Sequence, residues 1–301
     1  MAINTGSWSK DMVPGVNAWY GVKYDEYPVE HLDIFEKFTS SRAFEEDVGA
    51  AMFGLAPIKT EGAAISYDEA EQAFIDRYTH VVYALGFIIT EEMRDDGIAM
   101  STALRRASAL AFSLRQTAET VAANVLNRAF NSSYTYGDGV ELCSTAHVNQ
   151  SGGTWSNELA TAADLSEASL EQMCIDIAGL TNDRGLKIAV RPKCLHISKE
   201  QIFDAQRILE STLRPGVMDN DINAMKSMGM IPDIKVNHYL TDVDAFFIRT
   251  DVPDGMKYFE RKAPSFGEDN DFDTTNAKFK GSFRGSWGCT DKRSLYGSPG
   301  A

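Results

Sequence analysis

Four cysteines and five histidines are the residues of this chain best suited to nucleophilic, redox or metal chemistry. Cys143, Cys174, Cys194 and Cys289 stand far apart with no C-x-x-C, so neither a disulfide framework nor a zinc finger is indicated, and free buried thiols are expected. His31, His80, His147, His196 and His238 never recur at i, i+4, the spacing that puts two imidazoles on one helix face toward a metal. Cys143 lies near His147, and Cys194 near His196, but each pair would need a further ligand from elsewhere; a structural role is expected for both. Two acidic stretches, Asp269-Asn-Asp271-Phe-Asp273 and Asp219-Asn-Asp221-Ile-Asn223, place oxygens at alternate positions as calcium loops do. Their sixth positions are Thr274 and Ala224 where a calcium loop has Gly, and their twelfth are Lys280 and Met230 where it has Glu, so solvated turns are expected. The chain has no G-x-x-x-x-G-K-[ST], no G-x-G-x-x-G after a strand and no G-x-S-x-G elbow; Gly285-Ser-Trp-Gly288 reads as a turn inside the last sheet. No catalytic, cofactor or metal residues are therefore assigned.

Charge points the same way. The formal net charge is −14 and the pI about 4.8, so the average surface repels phosphate and a basic nucleic-acid footprint is not expected. The chain of 301 residues, 44% hydrophobic and 24% charged, has ample apolar supply for one large or two ordinary domains. The longest strongly apolar run, Val81 to Ile89, is too short to cross a bilayer, and Met1 to Met12 lacks the pattern of a secretion signal, which leads to the expectation of a cytoplasmic protein.

The elements that would carry these residues are of mixed α and β type. Residues 1 to 53 read as an arm, with amphipathic spacing for a short helix over Val29 to Phe38. Residues 54 to 90 read as a hairpin-like excursion: a Gly, Pro and Ala segment, then one long return strand from Phe74 to Ile89 that does not alternate cleanly between polar and apolar, so that neither face is plainly core, as in a strand buried against another chain. From Ile98 to Phe130 there is neither Gly nor Pro, and Leu104, Ala107, Ala111, Leu114, Ala118, Val121, Val125 and Ala129 follow the 3-4 spacing of one helix face. A helix of that length would be a spine for the fold. Its Arg105, Arg106, Arg115 and Arg128 outnumber the single Glu119, which marks either a surface toward DNA or ordinary solvation; on the helical wheel they form no stripe. Downstream, the pattern predicts a helix from Ser166 to Leu180, a strand from Lys187 to Ile197 interrupted by Pro192, and a helix from Ser198, as its cap, to Leu213. A loop over 216 to 233 and β segments over 234–239, 245–250, 256–261 and 277–288 complete an α+β order without βαβ repetition.

Together these segments resemble the major capsid proteins of tailed bacteriophages with the Hong Kong 97-type fold. The likeness is carried by Arg77-Tyr-Thr-His-Val-Val-Tyr-Ala-Leu-Gly-Phe87 and Ala122-Ala-Asn-Val-Leu-Asn-Arg-Ala-Phe-Asn131, then by Val236-Asn-His-Tyr-Leu-Thr-Asp242 and Ala245-Phe-Phe-Ile248. Phe259-Glu-Arg261, Asp269-Asn-Asp-Phe-Asp-Thr274, Arg284-Gly-Ser-Trp-Gly288 and Leu295-Tyr-Gly-Ser298 extend it along nearly the whole chain. The resemblance implies an arm (1–53), an extended loop (54–90), a peripheral domain with the spine helix (91–140), an axial domain (141–244) and returning β segments with a tail (245–301). It implies a non-enzymatic subunit that assembles in the host cytoplasm into hexamers and pentamers of an icosahedral virion shell around double-stranded DNA. Expected partners are further copies of itself, a portal protein and possibly a separate scaffolding protein, since only a short arm precedes the loop. Contacts between subunits are expected at Lys59, Phe74, Arg77, Tyr78 and Tyr83, and nonspecific DNA contacts at Arg105, Arg106, Arg115 and Arg128. Lys59 is the only lysine of the loop, and no adjacent catalytic glutamate suggests a crosslink there. An encapsulin-type nanocompartment and a soluble enzyme are the competing readings; nucleic acid inside the particles and monomeric behaviour, respectively, would separate them.

Overall fold

The computed structural model describes residues 8–50, 53–69, 72–214, 221–270 and 275–301. In chain order, helices α1 (Trp8–Asp25) and α2 (His31–Ile34) precede strands β1 (Glu36–Thr39), β2 (Phe44–Ala50), β3 (Gln72–Thr79) and β4 (Val81–Ile89). Helices α3 (Glu91–Asp95) and α4 (Ala99–Asn127) follow, then β5 (His147–Val148), β6 (Thr154–Trp155), α5 (Glu167–Gly179) and β7 (Pro192–Ile197). The chain continues with α6 (Ile202–Glu210), α7 (Ala224–Met228), β8 (Ile234–Val236), β9 (Phe246–Thr250), β10 (Met256–Asn270), β11 (Ala277–Cys289) and β12 (Leu295–Ser298).

The spine helix forms where its periodicity placed it. Ala103, Ala107, Leu110, Ala111, Leu114, Ala118, Ala122 and Leu126 of α4 are all buried, and its 29 residues give a rod of about 43 Å at 1.5 Å per residue. This face lies on a sheet of order β1-β10-β11-β4, parallel between β1 and β10 and antiparallel elsewhere. Helix α1 closes the other side of the groove, with Val16, Tyr20 and Tyr24 recurring every fourth residue, Val16 packing among Ala103, Ala107 and Phe279 and the two tyrosines among Leu110, Leu114 and Phe283. A second sheet, β12-β9-β7-β8, packs under α5 and α6 around Leu170, Met173, Ile177, Leu195, Ile208, Phe246 and Ile248. A third cluster, with Ile34, Leu126, Phe247, Tyr258, Cys289 and Leu295, joins the two halves.

The structure departs from the sequence reading in seven places. The single return strand is two: β3 pairs with β2 as a separate ribbon, while β4 joins the main sheet beside β11. The break is at His80, whose buried ring is held by Ser286 Oγ at 2.9 Å and Ser40 Oγ at 3.1 Å, so the chain turns from one sheet to the other there. The excursion accordingly starts at Phe44, inside the segment read as arm, and ends at Thr79. That arm also contains the full helix α1, in spite of Pro14, Gly15 and Gly21. Gly285-Ser-Trp-Gly288 runs along β11 and makes no turn. Ser198 does not cap: its hydroxyl donates to the Val243 carbonyl, and the helix starts with a 3₁₀ turn. Finally, the strand expected from Lys187 begins only at Pro192, and part of the loop expected over 216–233 is the helix α7, capped by Asn223, with 215–220 outside the described residues.

Candidate assembly surface

The chemistry-bearing residues are locked into structure. All four thiols are buried and free, and burial pushes Cys174 up to about 11 and Cys194 and Cys289 up to about 12, far from the thiolate a nucleophile needs. Cys194 Sγ lies 3.4 Å from His196 Nε2, but burial and the charge of Arg249 push that imidazole down to about 3, so at neutral pH the pair is a thiol beside a neutral ring. Among the described residues no group of three His, Cys, Asp or Glu side chains is placed to hold a metal ion. Of the two candidate calcium loops, 271–274 and 219–220 lie outside the described residues, while Asp221 faces Arg214 and Asn223 caps α7.

The Cys143 thiol packs in the hydrophobic cluster with Phe247 and Leu295, while His147 belongs to a buried polar hub that no local spacing announces. Asn157 shares its amide hydrogens among the carbonyls of Leu142, Lys292 and Leu295, at 2.8, 3.1 and 3.1 Å, which fixes its Oδ1 as an acceptor for the Ser144 N–H at 2.8 Å. His147 Nε2, 3.0 Å from the same Oδ1, must then donate, and its Nδ1 meets Asp138 Oδ2 at 2.6 Å. Burial opposes ionisation of Asp138, yet the His147 hydrogen bond and the charge of Lys292 hold its carboxyl below the usual 3.8. The ring of His147 stacks on Trp155 at 4.6 Å, and Arg293 covers the same indole at 4.4 Å while bonding to Asp183 and to the Thr181 carbonyl. These contacts form an architectural joint between the C-terminal segment and the part of the chain that holds the second sheet, and Asp138, Trp155, Lys292 and Arg293 also line a cavity of about 340 Å³.

What the fold leaves unused is a surface. Residues 53–69 run beyond the β2–β3 ribbon without regular structure, and Leu55, Ile58 and Tyr67 on it are 82, 95 and 91% exposed. The tip is a turn in which Ala63 N–H donates to the Thr60 carbonyl at 3.1 Å and Gly62 takes φ +81°, a left-handed conformation that suits glycine. The base is fastened by Asp68, whose carboxylate accepts from Gly54 N–H at 2.8 Å and sits 3.7 Å from Arg184; the backbone bond chiefly holds this carboxyl below its usual range.

The residues expected to meet neighbours divide into two groups. Lys59 is exposed near the tip, Phe74 is half-buried on β3, Arg77 is exposed with its guanidinium 3.9 Å over the Phe44 ring, and Tyr83 is half-buried in a stack on Phe283. Tyr78, by contrast, is only 4% exposed: its ring packs on Phe259 and its hydroxyl meets Thr290 Oγ1 at 2.7 Å, so it seals the foot of the ribbon within its own chain. The arginines divide likewise. Arg105 and Arg106 are exposed, the latter donating to the Ile88 carbonyl, and Arg128 is exposed with its guanidinium 4.4 Å over Tyr134. Arg115 is buried, 4.0 Å over the Tyr24 ring and donating to the Tyr24 carbonyl, so it fastens α1 to the spine and offers nothing to DNA. The exposed apolar loop was legible as an excursion, whereas the hub and the Arg115 clasp carry no sequence signal because their partners are distant in the chain.

The fold is thus a long spine helix on one four-stranded sheet, a second four-stranded sheet under α5 and α6, and an outlying β2–β3 ribbon. A family profile described as phage capsid protein matches residues 75–298, well over half of the chain, and the chain belongs to that family. Its fold is similar to the crystal structure of a virus-like particle from Pyrococcus furiosus, with a TM-score of 0.55 and 10% identity over 95% of this chain and 98% of that one. It is also similar to the capsid of an empty GTA particle, at 0.53 and 13% over 89% and 88%, and to a protein of Mycobacterium phage Patience, at 0.52 and 9% over 97% and 87%. No curated protein sequence matches. The fold is the Hong Kong 97 type, and the protein is a structural capsid subunit, located in the virion, and not an enzyme.

Proposed function

We propose that this chain is the major head subunit of a tailed phage, forming hexamers and pentamers that close into an icosahedral shell around double-stranded DNA. The observation that carries this reading is the loop 53–69, which leaves Leu55, Ile58, Ile65 and Tyr67 between 65 and 95% exposed. Apolar area of that kind is removed from water only by a neighbour, at about 25 cal/mol per Å² buried. Arg105 and Arg106 offer weak, nonspecific contacts to the packaged DNA, and the net charge of −14 keeps subunits from condensing on it before assembly. Portal and scaffolding proteins are the further partners of this reading, with assembly in the cytoplasm of the bacterial host.

Electron microscopy and sedimentation of the expressed protein test it. Closed megadalton particles, or capsomers that convert to them, are expected; a single species at the subunit mass of 33.2 kDa under all salt and protein concentrations, with the scaffold supplied, would overturn it. Nuclease-resistant DNA is expected in phage-derived particles, and a protein cargo without nucleic acid would move the chain to the nanocompartment class.

A further inference from the structure

Beside the C-terminal half of α4 lies a cavity of about 390 Å³, walled by Val121 and Asn124 of the helix, by Val81 of β4 and by Ser286 and Trp287 of β11. We infer that this cavity receives a carboxylate side chain from a second copy of the chain, and that the donor is Glu61 at the tip of the extended loop. The inference rests on the shell reading and names the contact that reading requires.

The cavity is built for an anion with an apolar stem. In a chain of net charge −14, none of the residues lining it is Asp or Glu, and Arg128 is among them. Arg128 has no ion-pair partner among the described residues; its guanidinium is held over the Tyr134 ring at 4.4 Å, which orients the group without neutralising it. Trp287, another lining residue, gives the cavity an apolar wall, its ring stacked on Tyr258 at 4.6 Å. The valines suit the methylenes of a glutamate. A phosphate on duplex DNA is attached to a rigid cylinder that cannot follow it into such a recess.

The donor follows by elimination within the loop. Residues 53–69 hold three carboxylates, Glu61, Asp68 and Glu69. Asp68 is committed to Gly54 and Arg184, and Glu69 lies at the same fastened base, where its carbonyl accepts from Arg184. Glu61 stands in the tip turn, exposed and without a partner among the described residues. Eight residues of extended chain carry it up to about 25 Å beyond the ribbon. The cavity includes Thr79 and Val81, at the foot of the same ribbon, so the tip moves away from its own cavity and reaches only that of a neighbour.

Charge reversal tests this in the full chain. Glu61→Arg and Arg128→Glu are each expected to lower the yield of particles about tenfold or more, as loss of a desolvated charge pair does at other interfaces, while the double variant restores it to within about threefold of wild type. Circular dichroism and thermal unfolding establish that each variant is folded. As a second measurement, Glu61→Cys with Asn124→Cys should link subunits into a disulfide ladder when particles are oxidised, the native thiols being buried. Normal assembly of either folded single variant, failure of the double variant to recover, or a cysteine pair that stays monomeric in intact particles overturns the inference and leaves the shell reading standing. Arg128→Glu particles that form normally but retain less DNA would overturn it by giving Arg128 to the genome. A wild-type chain that forms no particle removes the shell reading and this contact with it.

Discussion

A single side-chain amide, that of Asn157, serves five polar groups in the interior, and Asp138, bonded to the same His147, makes that joint sensitive to acid. A carboxyl whose folded pKa is depressed adds stability above its unfolded value, and that stability is lost as the pH falls through the folded pKa. Asp138 is such a group, held below 3.8 by His147 and Lys292 against the cost of burial. Asp138→Asn removes the charge opposite the His147 imidazole, so it should lower stability at pH 7 by about 3 kcal/mol, the scale for breaking a buried pair. As the pH falls from about 4 toward the depressed folded pKa, wild type progressively loses that contribution, so the gap between the two curves should narrow. Denaturant midpoints measured from pH 7 to pH 3 check this; a constant gap between wild type and variant across that range would show that the pair contributes no titrating stability.

At the scale of elements, the position of β4 depends on a glycine. A Cβ at Gly86 would stand 2.6 Å from the carbonyl oxygen of Phe279 on the paired strand β11, a backbone atom held in the ladder. Gly86→Ala should therefore cost about 1–3 kcal/mol in thermal or denaturant unfolding, the range for overpacking, whereas an unchanged midpoint would mean that β4 shifts freely along the edge of the sheet. The ribbon and its loop should separate in hydrogen exchange. Amides of Phe74 to Tyr78 are paired with β2 and should be protected in free subunits and shells alike, while those of residues 55–67 should exchange rapidly in subunits and at least about tenfold more slowly in shells. Equal rates for 55–67 in both states would remove the loop from the interface. These two elements also show what the sequence could reveal. The spine was legible because buried residues from Ala103 to Leu126 keep one helical face without interruption. Helix α1 was hidden by Pro14, Gly15 and Gly21, since its buried stripe of Val16, Tyr20 and Tyr24 is too short to outweigh them. The change of sheet at His80 left no trace because apolar residues continue through it, and what holds the ring, Ser40 and Ser286, comes from distant parts of the chain.

For the whole molecule, assembly must bring together many copies that each carry a formal charge of −14. Part of the positive charge is also withdrawn from the surface: Lys257 and Lys292 are buried against Asp47 and Asp76, and Arg115 and Arg249 are turned inward. The carboxylates, which outnumber the basic residues, therefore dominate the field between approaching subunits. Screening falls off over about 30 Å at 0.01 M salt and about 8 Å at 0.15 M, so repulsion spans a subunit in the first case and only its margin in the second. The apolar contacts of the loop are not weakened by that change, and an ion pair recessed in a cavity is screened far less than charges in open solvent. Assembly should accordingly be slow or arrested at capsomers near 0.01 M NaCl and proceed to closed particles near 0.15 M. Time-resolved light scattering at fixed protein concentration, with particles counted by electron microscopy, measures this directly. Faster assembly at the lower salt would mean that complementary charges at the subunit interfaces, and not burial of the loop's apolar side chains, drive closure of the shell.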